Sequence, residues 1–319
     1  MKQILFFIIG LLFISAIFAE AGISDKNDNL IRVAEVGSPQ AIWEALHNAS
    51  TKKDDSSDKN ANLIRAAEAG KLQEVQAALA DGADLNAKDA YYADCTALIL
   101  ASQKGYIDIV KFLLDKGADV NAKAGSGFTA LTFASAGGHI DIVKLLLGKG
   151  ADINVEGTAT IAHGMTPLME ASSGGHIEVV KFLIDKGADI NISPTNGMTA
   201  LAWASGGGHM EIVKLLLDKG ADVNTKNIYC PTALMAASDN GSIEIAKLLL
   251  DRGANVNAKT DDGHTALIAA SENGHTEIVK LLLNNGADVN ARKKDGITAM
   301  RVAKNADIVE MLKKAGAKE

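Results

Sequence analysis

A five-residue motif, Gly-Ala-Asp/Asn-apolar-Asn, recurs along most of this chain and constrains its fold more than any other feature. It begins at Gly82 and returns at positions 117, 150, 187, 220, 253 and 286, at intervals of 35, 33, 37, 33, 33 and 33 residues. A period near 33 residues is typical of repeat arrays, in which each unit packs only on its neighbours. A solenoid is therefore expected, although a length of 319 residues would ordinarily suggest two globular domains.

Each repeat carries the signals for two short helices. The first begins after a threonine, which can cap a helix N-terminus, and ends at a glycine that is free to adopt a positive φ. The second has apolar residues three and four positions apart, with an acid in its first turn and usually a base in its last. We expect the recurring motif to end this second helix and turn the chain, and so to specify the scaffold without contacting a partner. The threonines are Thr96, Thr129, Thr166, Thr199, Thr232 and Thr265, and the glycines are Gly105, Gly138, Gly175, Gly208, Gly241 and Gly274.

The order of these signals resembles the ankyrin repeat. Thr-Pro-Leu (at Thr166), Ala-Ala, Gly-His, Ile-Val, Leu-Leu and Gly-Ala-Asp-Val-Asn occur in the family's order over about residues 28–316. The resemblance implies an all-α solenoid of about nine helix-turn-helix units with short hairpin-like fingers. In one respect the chain departs from the family, because the histidine of Thr-Pro-Leu-His is missing and its inter-repeat hydrogen bond is expected to be missing with it. Its place is taken by Ile99, Thr132, Met169, Ala202, Met235, Ile268 and Arg301.

The amino-terminal residues fit an export signal. Lys2 precedes an apolar run over residues 4–18, and Ala19-Glu20-Ala21 fits a cleavage site. The run is shorter than the roughly 20 residues that a spanning helix needs. We expect a signal peptide over residues 1–21, cleaved after Ala19 or Ala21, and an exported protein of bacterial type, either periplasmic or secreted. An uncleaved membrane anchor and a helix buried at the end of the array are the competing interpretations.

Residues 22–59 are predicted to be a lead-in and a degenerate first repeat, followed by the repeat array over 60–319. The segment Leu30–Gly37 returns in similar form 33 residues later as Leu63–Gly70. Residues 51–59 are charged and rich in serine, which alone would indicate a linker. The interval from Leu46 to Leu63 nevertheless equals that from Leu114 to Leu131, at 17 residues. Repeat register with lost turn signals is therefore predicted, and a flexible segment is the alternative.

Charge and motifs exclude several classes of function. A net charge of −7 without a basic cluster argues against nucleic acid as a partner. No second long apolar run follows residue 18, so no membrane insertion of the mature chain is expected. Phosphate-binding, zinc-protease and nucleophile motifs are absent from the sequence, so we expect no enzyme activity, no catalytic residue, no metal and no cofactor.

Histidines and cysteines recur at repeat positions that keep them apart. His139, His176, His209 and His275 share one position, and repeats stacked about 10 Å apart cannot bring them to one metal ion. These histidines are predicted to be structural. Cys95 and Cys230 lie four repeats apart, roughly 35–40 Å, whereas a disulfide needs Cα atoms within about 7 Å. They are predicted to be unpaired thiols.

Positions that vary from repeat to repeat are the candidates for binding. In ankyrin repeats the fingers and the exposed side of the first helix form the concave face, where family members generally bind proteins. The resemblance implies a protein partner there and a monomeric chain. Aromatic residues make up only 4% of the chain, and tyrosine and tryptophan are favoured interface anchors. The predicted partner-binding residues in the fingers are Tyr91, Tyr92, Phe128, Met165, Met198 and Tyr229. On the exposed side of the first helices they are Phe133, Glu170 and Trp203, and the same repeat position is occupied in other units by Leu100, Ala236 and Ala269.

Three alternatives remain open at this face. Phe133 and Trp203 are equally well explained as filling gaps between repeats. Small residues precede the turn glycine in three consecutive units, at Ala136-Gly137, Ser173-Gly174 and Gly206-Gly207. They indicate either a shallow trough that lets a partner approach the backbone or drift after duplication. The finger at 155–165 carries four extra residues, and an accessory factor for a cell-envelope enzyme or a small-ligand carrier using this finger is the alternative function.

Overall fold

A computed structural model of the chain describes residues 59–158, 164–194, 198–225 and 231–318. Over these ranges it contains sixteen α-helices, one short 3-10 helix and no strand beyond two isolated bridges. The predicted all-α solenoid is confirmed. No helix in these ranges has both the length and the apolar character needed to cross a membrane. The predicted signal peptide and most of the predicted first repeat lie outside the described residues.

The helices, numbered α1 to α16 in chain order, form eight pairs. In each pair the odd-numbered helix is the first helix of the repeat and the even-numbered helix is the second. The amino-terminal four pairs are α1 (Lys59–Glu68) with α2 (Leu72–Ala80), α3 (Ala97–Lys104) with α4 (Ile107–Asp115), α5 (Ala130–Ala136) with α6 (Ile140–Gly148), and α7 (Pro167–Ser173) with α8 (Ile177–Asp185). The remaining pairs are α9 (Ala200–Gly206) with α10 (Met210–Asp218), α11 (Ala233–Asn240) with α12 (Ile243–Asp251), α13 (Ala266–Asn273) with α14 (Thr276–Asn284), and α15 (Ala299–Val302) with α16 (Ala306–Lys314).

The first helices carry most of the contact between repeats. Each packs closely on the first helices before and after it and on its own second helix, whereas neighbouring second helices touch over few residues. Alanine, leucine and isoleucine fill the interior, and all residues of α3 from Ala97 to Ser102 are buried. The stack is therefore tighter on the side of the first helices, and we call that side, together with the fingers beside it, the concave face.

Threonine caps begin the first helices as predicted. The Thr166 hydroxyl accepts a hydrogen bond from the backbone N–H of Met169 at 3.3 Å, which satisfies one of the free donors at the helix start. Thr129 instead belongs to a capping box with Thr132. The predicted positive φ of the glycine after the first helix is also confirmed, with +75° at Gly175. The other threonines that cap in the same way as Thr166 are Thr96, Thr199, Thr232, Thr265 and Thr298.

The asparagine of the recurring motif joins each repeat to the next. Asn191 Oδ1 accepts from the backbone N–H of Asp222 at 2.9 Å, and its Nδ2 donates to the carbonyl of Gly220 at 3.2 Å. Asp189 positions this asparagine by accepting from its N–H at 2.9 Å. The motif therefore does more than end a helix and turn the chain, because its asparagine also joins two repeats. The bond to an N–H of the following repeat is made by Asn86, Asn121, Asn154, Asn191, Asn224, Asn257 and Asn290, and we call this series the asparagine ladder.

Neighbouring fingers are also hydrogen-bonded to one another. The N–H of Gly125 donates to the carbonyl of Ala93 at 2.8 Å, and that of Thr158 to Ser126 at 2.9 Å. The finger at 87–95, which is two residues longer than most, contains the 3-10 helix Ala90–Tyr92, after which Ala93 adopts φ +51°. Of the second long finger at 155–165, residues 159–163 lie outside the described ranges.

Removing one asparagine of the ladder should weaken the array at that interface. Asn191→Ala deletes two inter-repeat hydrogen bonds, each worth about 0.5–1.5 kcal/mol net, so the free energy of unfolding should fall by about 1–2 kcal/mol. Asn284→Ala, at an exposed position of α14, is the matched control and should change stability by less than about 0.5 kcal/mol. Urea denaturation followed by circular dichroism measures both. Equal stability of the two variants would contradict a stabilising ladder.

Candidate protein-binding face

Two rows of positions on the first helices from α3 to α13 include most of their accessible side chains. Helix row 4, four residues after each capping threonine, comprises Leu100, Phe133, Glu170, Trp203, Ala236 and Ala269. Helix row 7, one turn later, comprises Gln103, Ala136, Ser173, Gly206, Asp239 and Glu272. Positions three residues apart lie on the same side of a helix, so the two rows share one surface. Sequence reasoning found helix row 4 but missed helix row 7 as a second, parallel row.

Only the middle of helix row 4 is accessible. Phe133, Glu170 and Trp203 are each partly exposed. Leu100, Ala236 and Ala269 are 1%, 6% and 1% exposed, so the expectation that the whole row is exposed is wrong. The two alanines are too short to project beyond their neighbours, and Leu100 belongs to the core.

The predicted finger residues also include both accessible and buried side chains. Tyr91 is 44% exposed, the largest exposure of any bulky apolar side chain in the described residues. Tyr92 is 6% exposed and packs edge-on against Tyr91, with ring centroids 4.9 Å apart, so it supports Tyr91 rather than offering a surface of its own. Phe128 packs edge-on against Phe133 at 5.8 Å. Met165 and Met198 are partly exposed, and Tyr229 lies outside the described residues.

Glu170 is a shielded acid without a partner. The first helices on both sides of it, α5 and α9, contain no charged residue. Within the described ranges its carboxylate makes no hydrogen bond or ion pair, and burial raises its pKa from 4.5 to about 7. Next in the row, Nε1 of Trp203 is buried and has no hydrogen-bond partner in the same ranges. Two neighbouring positions thus hold polar groups that the fold leaves unsatisfied, which the sequence did not reveal.

The four repeated histidines are structural, as predicted. His176 Nε2 donates to the carbonyl of Ala136 in the preceding repeat at 2.8 Å, and His139, His209 and His275 make the same bond at 3.0 Å to Gln103, Ser173 and Asp239. We call this series the histidine ladder. Among the described residues no group of three potential ligands is placed to hold a metal ion. An inter-repeat histidine bond therefore exists, although it comes from the Gly-His turn and not from the position that this chain has lost.

The histidine ladder also lies against three glycines of the supposed trough. A Cβ added to Gly174 would lie 2.6 Å from Cδ2 and Nε2 of His176, and Gly137 and Gly207 stand equally close to their own histidines. A Cβ at these glycines would meet the ring as it now lies, although Asn273 takes the equivalent place before His275 and that histidine keeps the same bond. Gly206 in helix row 7 is different, because a Cβ there would meet only Ala236 at an ordinary 3.5 Å. The trough hypothesis is thereby confined to helix row 7.

Cys95 is free and buried, in line with the predicted unpaired thiol. Burial raises the pKa of this thiol to about 12, which keeps it protonated and unreactive at neutral pH. Cys230 lies outside the described residues.

Comparison with known proteins agrees with this geometry. A family model described as ankyrin repeats (3 copies) matches six overlapping segments, residues 30–124, 63–157, 122–194, 157–227, 191–260 and 234–319. Among solved structures, the crystal structure of the human ASB11 ankyrin repeat domain is similar, with a TM-score of 0.61 and 26% identity. That match covers 70% of this chain and 100% of the other. Comparison with curated proteins gave no match.

A methyl group at Gly174 should disturb the histidine ladder. Gly174→Ala should lower the free energy of unfolding by about 1–3 kcal/mol, because its Cβ would overlap the His176 ring. Gly148→Ala, where the added Cβ meets nothing within 4 Å, is the control and should be neutral or slightly stabilising. Denaturation of Gly174→Ala, His176→Ala and the double variant gives the coupling between the two sites. Strictly additive effects would show that the glycine does not make room for the ring.

The stability of the chain should depend on the protonation of Glu170. Because the folded-state pKa of about 7 lies above the unfolded value of 4.5, stability is greatest at low pH and is lost as the pH rises from about 4.5 to 7. Glu170→Gln lacks this loss and should be more stable than the wild type at pH 8 by about 1–3 kcal/mol. Urea denaturation at pH 5, 6, 7 and 8 measures how the free energy of unfolding changes with pH. The control is Glu211→Gln at an exposed position, which should keep the pH dependence of the wild type. A wild-type slope in Glu170→Gln would contradict the shielding of this carboxyl.

Proposed function

The chain belongs to the ankyrin-repeat family, and on that premise we propose that it is a non-catalytic protein-binding module whose partner docks on the concave face. Ankyrin repeats generally mediate protein–protein interaction. The chain acts as a monomer in this proposal, and a single partner protein lies across the fingers and the first helices between α3 and α9. The partner's identity is left to the experiment below.

One observation carries this proposal: the accessible part of the concave face is where the repeats stop being alike. Positions that repeat faithfully are occupied by caps, core residues and the two inter-repeat ladders. Phe133, Glu170 and Trp203 occupy one repeat position as an acid between two aromatics, and all three remain partly exposed. Large side chains on a scaffold that does not need them are typical of binding sites. Tyr91 extends the same surface into the fingers, where it is 44% exposed.

Export of the protein is a second part of the proposal, supported by the basic start, the apolar run and the small-residue site of residues 1–21. Amino-terminal sequencing of the protein recovered outside the cytoplasm tests it. A start at Glu20 or Gly22 is expected. A start at Met1 would contradict cleavage and would favour an uncleaved anchor.

Loss of the concave-face aromatics should abolish partner capture. The double variant Phe133→Ala/Trp203→Ala should bind the partner at least about tenfold more weakly than the wild type, because buried aromatics dominate interface energies. Its matched control is Phe112→Ala/Phe182→Ala, which removes two partly exposed aromatics from the second helices α4 and α8. The three proteins are used for affinity capture from the exported fraction, and the dissociation constant of the captured protein is then measured by calorimetry.

Two outcomes would contradict the proposed function. Retention of the partner by Phe133→Ala/Trp203→Ala, with loss in the control, would place the interface on the second helices. Recovery of a bound small molecule and no stoichiometric protein would favour the ligand-carrier alternative.

A further inference from the structure

A recess in the concave face is formed by large residues in helix row 4 and small residues in helix row 7. Phe133, Glu170 and Trp203 follow one another on α5, α7 and α9. One turn further along the same helices lie Ala136, Ser173 and Gly206, the smallest members of their row. Because the small residues share the surface of the large ones, they leave space beside each of them. Glu170 therefore lies between two aromatic residues of its row, with the small residue Ser173 one turn away on its own helix.

Among the described residues, no cation lies near the Glu170 carboxylate on the elements that surround it. The helices that pack on both sides of α7 carry no charged residue. The charged residues of α8 are Glu178, Lys181 and Asp185, all exposed on the second-helix side, where Lys181 pairs with Glu178 at 3.0 Å. Glu156 is the described charged residue of the adjoining finger, and it is exposed and acidic. No described group on these elements supplies a positive charge to Glu170.

The aromatic walls of the recess and the charges around it restrict what it can take. Phe128 holds Phe133 in an edge-to-face contact at 5.8 Å. Trp203 is partly exposed and contributes an indole ring face. Two and three repeats further along, helix row 7 carries the acids Asp239 and Glu272, so the described charges of this face are complementary to a basic partner.

We propose that this recess binds an arginine side chain of the partner protein, with its guanidinium on the Glu170 carboxylate and against the rings of Phe133 and Trp203. Arginine fits better than lysine because its planar, weakly hydrated guanidinium stacks on aromatic rings and donates two parallel hydrogen bonds to a carboxylate. This inference rests on the proposed function and names the group that anchors the partner.

Binding of the guanidinium should depend on pH with a defined sign. A cation is attracted only by the ionised carboxylate, and the shielded environment raises the pKa of Glu170 to about 7. Between pH 6 and pH 8 the ionised fraction rises roughly tenfold, so affinity should rise by about the same factor. The Glu170→Gln variant has no such dependence.

The test uses the full chain and an arginine compound of known structure. The protein has two tryptophans, Trp43 and Trp203, so the substitution Trp43→Phe leaves Trp203 as the single fluorescent reporter in the recess. N-acetyl-arginine N-methylamide is titrated at pH 6 and pH 8 while the emission of Trp203 is recorded. The corresponding citrulline compound is its neutral control of the same shape. Glu170→Gln removes the charge, and Ser173→Gln keeps the charge and fills the space one turn away.

A saturable response to the arginine compound with a dissociation constant in about the millimolar range is expected, tighter at pH 8 than at pH 6. The citrulline compound, Glu170→Gln and Ser173→Gln should each weaken it at least about fivefold. An equal response to citrulline, an unchanged response in Glu170→Gln, or no saturation with the arginine compound would each overturn the inference.

The capture experiment separates this inference from the proposed function. If Phe133→Ala/Trp203→Ala loses the partner and Glu170→Gln keeps it at full affinity, the concave face binds the partner without an arginine at Glu170. If neither variant loses the partner, the proposed function itself fails.

Discussion

Hydrogen bonds between neighbouring repeats are the interaction on which the rest of this structure depends. A single pair of helices with four to ten residues each cannot bury enough apolar surface to be stable alone, so every unit relies on the next. The asparagine ladder fixes that relation at the end of the second helices, and the histidine ladder fixes it at the turn between the helices. Because the two ladders contact a repeat at different places, together they determine its orientation relative to the neighbouring repeat as well as the distance between them.

This regular scaffold explains which residues are free to vary. Caps, helix-ending glycines, ladder residues and the interior of the first helices serve contacts that recur in every unit. What remains on the concave side is the pair of rows on the first helices and the finger side chains beside them. Glu170 is informative because the scaffold gains nothing from it: burial shifts its pKa to about 7 and no neighbouring charge compensates. A side chain that costs stability and serves no internal contact points to a role outside the chain.

The sequence was sufficient for the fold because repetition amplifies weak signals. One threonine or one glycine would indicate little, but the same order of residues in consecutive units predicted the helix boundaries, the threonine caps and the structural histidines. The asparagine contacts were not predicted because a motif that only turns the chain and a motif that also bridges two units can have the same residues in the same order. The site was predicted less well. Tyr92, Leu100, Ala236 and Ala269 are buried, and burial depends on neighbouring units that a repeat position alone does not describe. The glycines at 137, 174 and 207 were ascribed to a partner, although each lies against the imidazole two residues away.

The central claim is that a protein partner contacts the first helices and not the second. Site-specific photocrosslinking tests it most directly within a single repeat. A photoreactive amino acid replaces either Ser173, in helix row 7 on α7, or Lys181, exposed on α8. The account predicts a crosslinked complex from position 173 and none from position 181. A crosslink from position 181 alone would contradict it.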